Sequence, residues 1–199
     1  MSHSKRPTCS TCLRAASTCI CHWIARIEPR ASLLILQHPL EVANAKNSAR
    51  LLHLSVTGSV LAVGETFAQE ELLRLLHAGG RTPLLLYPAT PGDAGLPAPP
   101  STPALPPQSL RLVLLDATWR KSRKMLYLNP ALQALPRLAL DEVAPSNYRI
   151  RKAHAPHQLS SLEAAAQALA QLEGNGGRYR PLLDAFDGFV SQQAAYVRA

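Results

Sequence analysis

The sequence predicts an α/β fold, a mostly parallel sheet with helices on both faces. Three observations predict it. Short apolar runs of strand length recur along the chain. Stretches of helical period separate them, so each strand is followed by a crossover rather than a hairpin turn. With 199 residues, 47% of them apolar and 17% charged, the chain can bury one good core and carry a small satellite.

Taken in order, residues 1–30 form a cysteine-rich knuckle and 31–199 the main domain. All four cysteines fall within Cys9-x2-Cys12-x6-Cys19-x-Cys21. Thiols this close in a reducing compartment suit a tetrahedral metal better than disulfides, and Cys9, Cys12, Cys19 and Cys21 are read as ligands of a structural zinc. His22 or His3 is the alternative fourth ligand, and reduced surface thiols or a redox pair are the competing readings. Ser32 to Gln37 reads as a strand. Pro39 suits the first turn of a helix reaching Arg50-Leu51-Leu52. Ser59 to Val63 is a second strand. Glu70 to His77 is an amphipathic helix with acids in its first turn, stopped by Gly79-Gly80. Pro83 to Tyr87 is a third strand. Residues 88–109 are rich in proline, which favours an extended exposed loop inserted between strands. Strand Leu110 to Leu115, a helix from Thr118 to Asn129, a turn of helix near Ala131 and a strand at Arg137 to Leu140 follow. Ser160-Ser161-Leu162-Glu163 is a capping box opening an Ala-rich helix to Glu173. A last helix covers Tyr179 to Val197.

Formal net charge is +8, which suits nucleic acid or another polyanion, although basic surfaces also serve solubility alone. No run approaches the ~20 apolar residues that span a bilayer, and no apolar signal region follows the first residues. A cytoplasmic protein is expected. Glycine-rich nucleotide fingerprints and a G-x-S-x-G elbow are missing from the sequence, so a nucleotide-like group would need another kind of cradle.

The sharpest candidate is Asp116-Ala117-Thr118-Trp119, an acid, a hydroxyl and an indole at the carboxyl end of an apolar strand. Open α/β sheets place ligands there. Asp116 suits a base or orienting acceptor, Thr118 a hydrogen-bond partner, and Trp119 a wall for a base or cation. On spacing alone the competing reading is the stronger one: Asp116 caps the next helix while Trp119 packs in the core. Arg120, Lys121, Arg123 and Lys124 fan across more than one helix face and suit either solvent or phosphates. A second cluster, Arg149, Arg151 and Lys152 beside Tyr148, suits unpaired nucleotides. Two such clusters, both after strand ends, favour a nucleic-acid partner. The Ser160-Ser161 helix start is an ordinary cap or an anion site.

Together these residues resemble the DTW-domain family of tRNA-uridine aminocarboxypropyltransferases. The resemblance rests on the cysteine knuckle, Gln37-His38-Pro39-x-Glu41 with Asn47-Ser48 and Arg50-Leu51-Leu52, Asp116-Ala117-Thr118-Trp119, Tyr148-Arg149-Ile150-Arg151, and Leu159-Ser160-Ser161-Leu162-Glu163-Ala164. It departs where the family more often has Asn-Thr-Gly for Asn47-Ser48-Ala49, and Ser-Thr for Ser160-Ser161. The resemblance implies a SPOUT-like fold with a C-terminal knot, and transfer of the 3-amino-3-carboxypropyl group of S-adenosylmethionine to N3 of a tRNA uridine. It implies that Asp116, Thr118 and Trp119 are catalytic. Leu138, Leu140, Tyr148, Ser160, Ser161 and Glu163 would hold S-adenosylmethionine. Arg120, Lys121, Arg123, Lys124, Arg149, Arg151 and Lys152 would hold tRNA. A monomer without membrane contact is expected. A SPOUT-like RNA methyltransferase and a non-catalytic zinc-containing RNA-binding module are the rival readings.

Overall fold

The computed structural model describes residues 7–88, 100–101, 103–140 and 159–197. Among them, five strands form one parallel sheet: β1 Ser32–Gln37, β2 Val60–Val63, β3 Thr82–Leu86, β4 Leu110–Asp116 and β5 Arg137–Leu138, in the order β2-β1-β4-β3-β5. The helices are α1 Ala49–Ser55, α2 Gln69–His77, α3 Trp119–Leu128, α4 Pro130–Gln133, α5 Ser161–Glu173 and α6 Gly176–Val197. Successive strand residues alternate between the two faces, so a central strand needs apolar residues on both. In β1, Leu33 and Ile35 join one core with α1, α5 and α6, whereas Leu34 and Leu36 join the other with α2, α3 and α4. Leu112 and Leu114 alternate with Val113 and Leu115 in β4 in the same way. The expected parallel sheet with helices on both faces is present.

Most elements fall where periodicity puts them, and one does not. Pro39 opens only a short 3-10 turn, Pro39–Glu41, and the α-helix starts ten residues later at Ala49. Asparagine side chains explain the break. Asn44 Oδ1 accepts from the Lys46 amide at 3.0 Å, and Asn47 Oδ1 accepts from the Ala49 amide at 3.0 Å. Both contacts offer the backbone a turn in place of a helix. The helix stop at Gly79 and Gly80 is as expected, with φ of +72° and +67° that L side chains avoid. Of the proline-rich segment, Pro107–Ser109 is a 3-10 turn leading into β4, and 89–99 and 102 lie outside the described residues. The path from β5 to α5 runs through 141–158, also outside them, and with it the expected knot.

The knuckle, from residue 7 to 30, packs against α6. Ile20 is fully buried in the core that holds Phe186 and Phe189. The Trp23 ring lies so close to Gly188 that a Cβ there would come within 2.2 Å of it. Trp23 Nε1 donates to Gln192 Oε1 at 2.7 Å, Gln192 Nε2 donates to the Cys19 carbonyl at 3.1 Å, and Tyr196 Oη donates to the Ser17 carbonyl at 2.6 Å.

The sheet order fixes where a site can form. β1 connects outward to β2 on one side, while β4 connects to β5 on the other. These two strands are neighbours, with Gln37 opposite Asp116 at their carboxyl ends. Adjacent strands whose connections diverge leave a crevice outside their carboxyl ends, where open α/β sheets hold ligands.

Candidate active site

Asp116 is the last residue of β4 and only 3% exposed. Its Oδ2 accepts from Gln37 Nε2 at 2.9 Å and from Asn47 Nδ2 at 2.7 Å. Its Oδ1 accepts from Ser161 Oγ at 2.5 Å. Asn47 Oδ1 also takes a bond from Gln37 Nε2 at 3.2 Å. One carboxylate thus joins the end of β1, the loop before α1 and the first residue of α5. The capping reading fails: Thr118 is the N-cap of α3, without a side-chain cap bond, and the Asp116 carboxylate points across to other elements. Trp119 is not a core residue either, being 50% exposed. Spacing does not separate these readings, because the donors come from distant parts of the chain.

Beside this network lies a cavity of about 290 Å³ at the carboxyl ends of β3, β4 and β5. Leu138, Leu140, Ser160 and Ser161 line it, as does Trp119, whose ring meets Tyr87 edge-on at 6.0 Å. The volume is close to the lower end for small-molecule sites, ~300 Å³, and the wall is mostly apolar, with the hydroxyl residues Tyr87, Ser122, Ser160 and Ser161 in it. Asp116 and Thr118 are not in the wall; Asp116 stands behind Ser161. Glu163 is also absent from the lining. It completes the expected capping box, accepting from the Ser160 amide at 2.8 Å while its own amide donates to Ser160 Oγ at 3.2 Å. The Leu162 amide donates to Ser48 Oγ at 3.4 Å. Of the first three amides of α5, that of Ser161 has no such partner among the described residues. Tyr148, Arg149, Arg151 and Lys152 lie outside the described residues.

The cations of α3 divide. Lys121 turns inward, its Nζ 3.2 Å from Oε1 of the buried Glu41. Lys124 pairs with Glu65 at 3.0 Å, and the other oxygen of Glu65 is 3.0 Å from His38 Nε2. The Lys124 contact, then the His38 contact, hold the Glu65 carboxyl below the usual carboxylate range. Arg120, Arg123 and Lys124 line one open depression of about 510 Å³ together with Trp119, Tyr127 and Leu128. Three of the four cations therefore share a face.

The family model described as the DTW domain matches residues 6–194. The chain belongs to the DTW-domain family. It is 28% identical over 210 residues to tRNA-uridine aminocarboxypropyltransferase 2 of Mus musculus, covering 98% of this chain and 67% of that one. It is 27% identical to tRNA-uridine aminocarboxypropyltransferase A of Arabidopsis thaliana, covering 98% and 84%. The Drosophila melanogaster tRNA-uridine aminocarboxypropyltransferase 2 is 32% identical, covering 85% and 68%. No solved structure matches the chain.

In this DTW domain the residues that single-site reasoning passes over are Gln37 and Asn47. Both are buried polar groups, at 4% and 5% exposure, committed to Asp116. A glutamine closing an apolar strand is the signal that marks the first. Asn47 carries no local signal beyond its place in the Asn47-Ser48 motif.

The knuckle brings Cys9, Cys12, Cys19 and Cys21 into a group able to hold a metal ion, all four Sγ atoms lying within 4.8 Å of one another. Cys9 and Cys21 are 3.6 Å apart, and Cys12 and Cys19 3.7 Å. A tetrahedron with Zn–S of ~2.3 Å needs sulfurs about 3.8 Å apart, so these thiols fit zinc. The Cys12 and Thr11 backbone amides pull the Cys9 thiol down to about 6, and burial pushes Cys21 up to about 12. His22 is not in the group, its ring packing on Trp23 at 4.7 Å, and His3 lies outside the described residues.

Proposed function

We propose that this protein is a tRNA-modifying transferase that moves the 3-amino-3-carboxypropyl group of S-adenosylmethionine to N3 of a uridine. The observation that carries the reading is the cavity at the strand ends, walled by the Ser160-Ser161 helix start and backed by the Asp116 network. The names of the relatives agree with it. In the reaction a bond forms between N3 and the methionine Cγ as the Cγ–S bond breaks. 5′-Methylthioadenosine departs and the N3 proton is lost. A sulfonium offers three electrophilic carbons, so the choice of carbon is a matter of positioning.

Leu138, Leu140, Tyr148 and the start of α5 hold S-adenosylmethionine in this reading. The Ser161 amide and the helix dipole suit its carboxylate. Glu163 acts at one remove, by fixing Ser160. Asp116, locked by Gln37 and Asn47, accepts the Ser161 hydroxyl proton and leaves a lone pair of Ser161 Oγ for the N3 proton, so that the proton departs through Ser161. Thr118 sets the turn that presents Trp119 at the cavity mouth. Arg120, Arg123 and Lys124, with Arg149, Arg151 and Lys152, serve RNA phosphates, whereas Lys121 is committed to Glu41. The knuckle binds a structural zinc through its four thiolates. Residues 1–30 then form the zinc unit and 31–199 the catalytic one. Among the described residues no helix is long and apolar enough to cross a membrane; in this reading it is the tRNA substrate that puts the protein in the cytoplasm.

The test is incubation with unmodified tRNA and S-adenosylmethionine, followed by nucleoside mass spectrometry. A uridine carrying the aminocarboxypropyl group is expected. A methylated nucleoside would replace this reading with a methyltransferase. Absence of product, together with no thermal shift on adding S-adenosylmethionine, would leave only an RNA-binding module.

A further inference from the structure

We propose that the exposed face of α3 is a subsite for the unpaired nucleotides that flank the target base. Identification of the partner as RNA rests on the reading above; the shape and chemistry of the face do not. Trp119, Arg123 and Tyr127 are spaced by four along the helix, and so are Arg120, Lys124 and Leu128, which makes two adjacent rows. Trp119, Tyr127 and Leu128 are 50%, 41% and 43% exposed, a concentration of large apolar groups that a plain solvated helix face does not carry. Three cations bracket them around one depression.

That combination selects its partner. Aromatic faces stack on bases whose own faces are open, and guanidiniums neutralise the phosphates between them. A duplex offers the phosphates but keeps its base faces stacked inside. An acidic peptide offers charge without the regular alternation of anion and planar ring. The charge is complementary to RNA, and the position adds a second argument. Trp119 lines both this depression and the cavity at the strand ends, so the two spaces share a wall. From Trp119 to Tyr127 the helix rises about 12 Å, the reach of a short run of nucleotides rather than of a single base. A strand lying along α3 therefore leads into the cavity past Trp119.

The experiment is fluorescence anisotropy with a labelled, uridine-rich single-stranded oligoribonucleotide and with the same sequence as a duplex. The full-length protein is compared with Tyr127→Ala, Tyr127→Phe and the double variant Arg120→Ala, Arg123→Ala. The parent is expected to prefer the single strand. Tyr127→Ala should weaken that binding about tenfold, while Tyr127→Phe, which keeps the ring, retains it. The double variant should flatten the log–log salt slope by about 0.7 for each phosphate it no longer neutralises. With tRNA as substrate, Tyr127→Ala should raise KM more than it lowers kcat. Equal affinity for duplex and single strand, or a correctly melting Tyr127→Ala that binds like the parent, would overturn the proposal. Binding here needs no group transfer. A failed transfer assay therefore sinks the enzymatic reading and leaves this one standing, and the converse also holds.

Discussion

The knuckle and the ends of β1 and β4 both hold short irregular loops in place, by different physical means. At the strand ends the sheet does the work. Gln37 and Asp116 face each other in register, and one carboxylate collects donors from three elements. Among its described residues the knuckle has little regular structure, two 3-10 turns and the isolated bridges Thr8–Ala15 and Ile27–Val56, and four thiols gather beside the few side chains, such as Ile20, that reach the main core. The first arrangement is intrinsic to the fold; the second, with zinc bound as proposed, would depend on a metal. They meet at Arg14, whose Nη1 and Nη2 donate to the carbonyls of Ala45 and Asn47 at 2.6 and 2.9 Å. The loop that supplies Asn47 to Asp116 is thus gripped from the knuckle side.

The largest effect is expected at the strand ends, where Asp116 sits. Asp116→Asn keeps the shape, and its carbonyl can still accept from Gln37 and Asn47, but its NH2 then faces Ser161 Oγ and can take no proton from it. Transfer to tRNA should fall about a hundredfold or more, while a thermal shift with S-adenosylmethionine persists. Full activity in this variant would remove Asp116 from the chemistry. Next in size is metal loss. Cys12→Ser, at a buried ligand position, should abolish zinc measured by elemental analysis and lower Tm by about 5–10 °C, on the ~2–4 °C per kcal/mol of a domain this size. An unchanged zinc content would rule out the four-thiolate site. Smaller still is Asn47→Ala. It removes one donor to Asp116 and the acceptor for Ala49, for about 1–3 kcal/mol in denaturant melts. If the loop matters to catalysis, kcat should fall more than the affinity for S-adenosylmethionine.

How much of this is readable in the sequence follows from the range of each interaction. The strands β1 and β4 are readable because central strands must be apolar on both faces, and α5 because a capping box is local chemistry. The helix expected at Pro39 is not there, since Asn44 and Asn47 redirect the backbone through side-chain bonds that periodicity ignores. Asp116 is legible as a strand-end acid but looks like a cap, because Gln37 and Asn47 lie 79 and 69 positions away. The cations of α3 show the same limit. Helical geometry spreads them around the axis, but which one turns inward is decided by Glu41, 80 residues earlier.

Arg14→Ala, the mildest change, tests whether the two regions are coupled or merely adjacent. The substitution deletes both bonds to the 45–47 loop and the packing of the guanidinium over Phe189, 5.0 Å from its ring. Arg14 is partly exposed, so the destabilisation should be modest, about 1 kcal/mol or ~2–4 °C in Tm, with zinc content unchanged. Coupling predicts that transfer nevertheless falls several-fold with S-adenosylmethionine affinity intact, a weaker copy of Asn47→Ala. It also predicts that Arg14→Ala and Asn47→Ala combine less than additively, since both act on one loop. Parental activity in Arg14→Ala, alongside a large drop on zinc removal, would mean that the knuckle supports the fold through α6 and contributes nothing to the placement of Asp116.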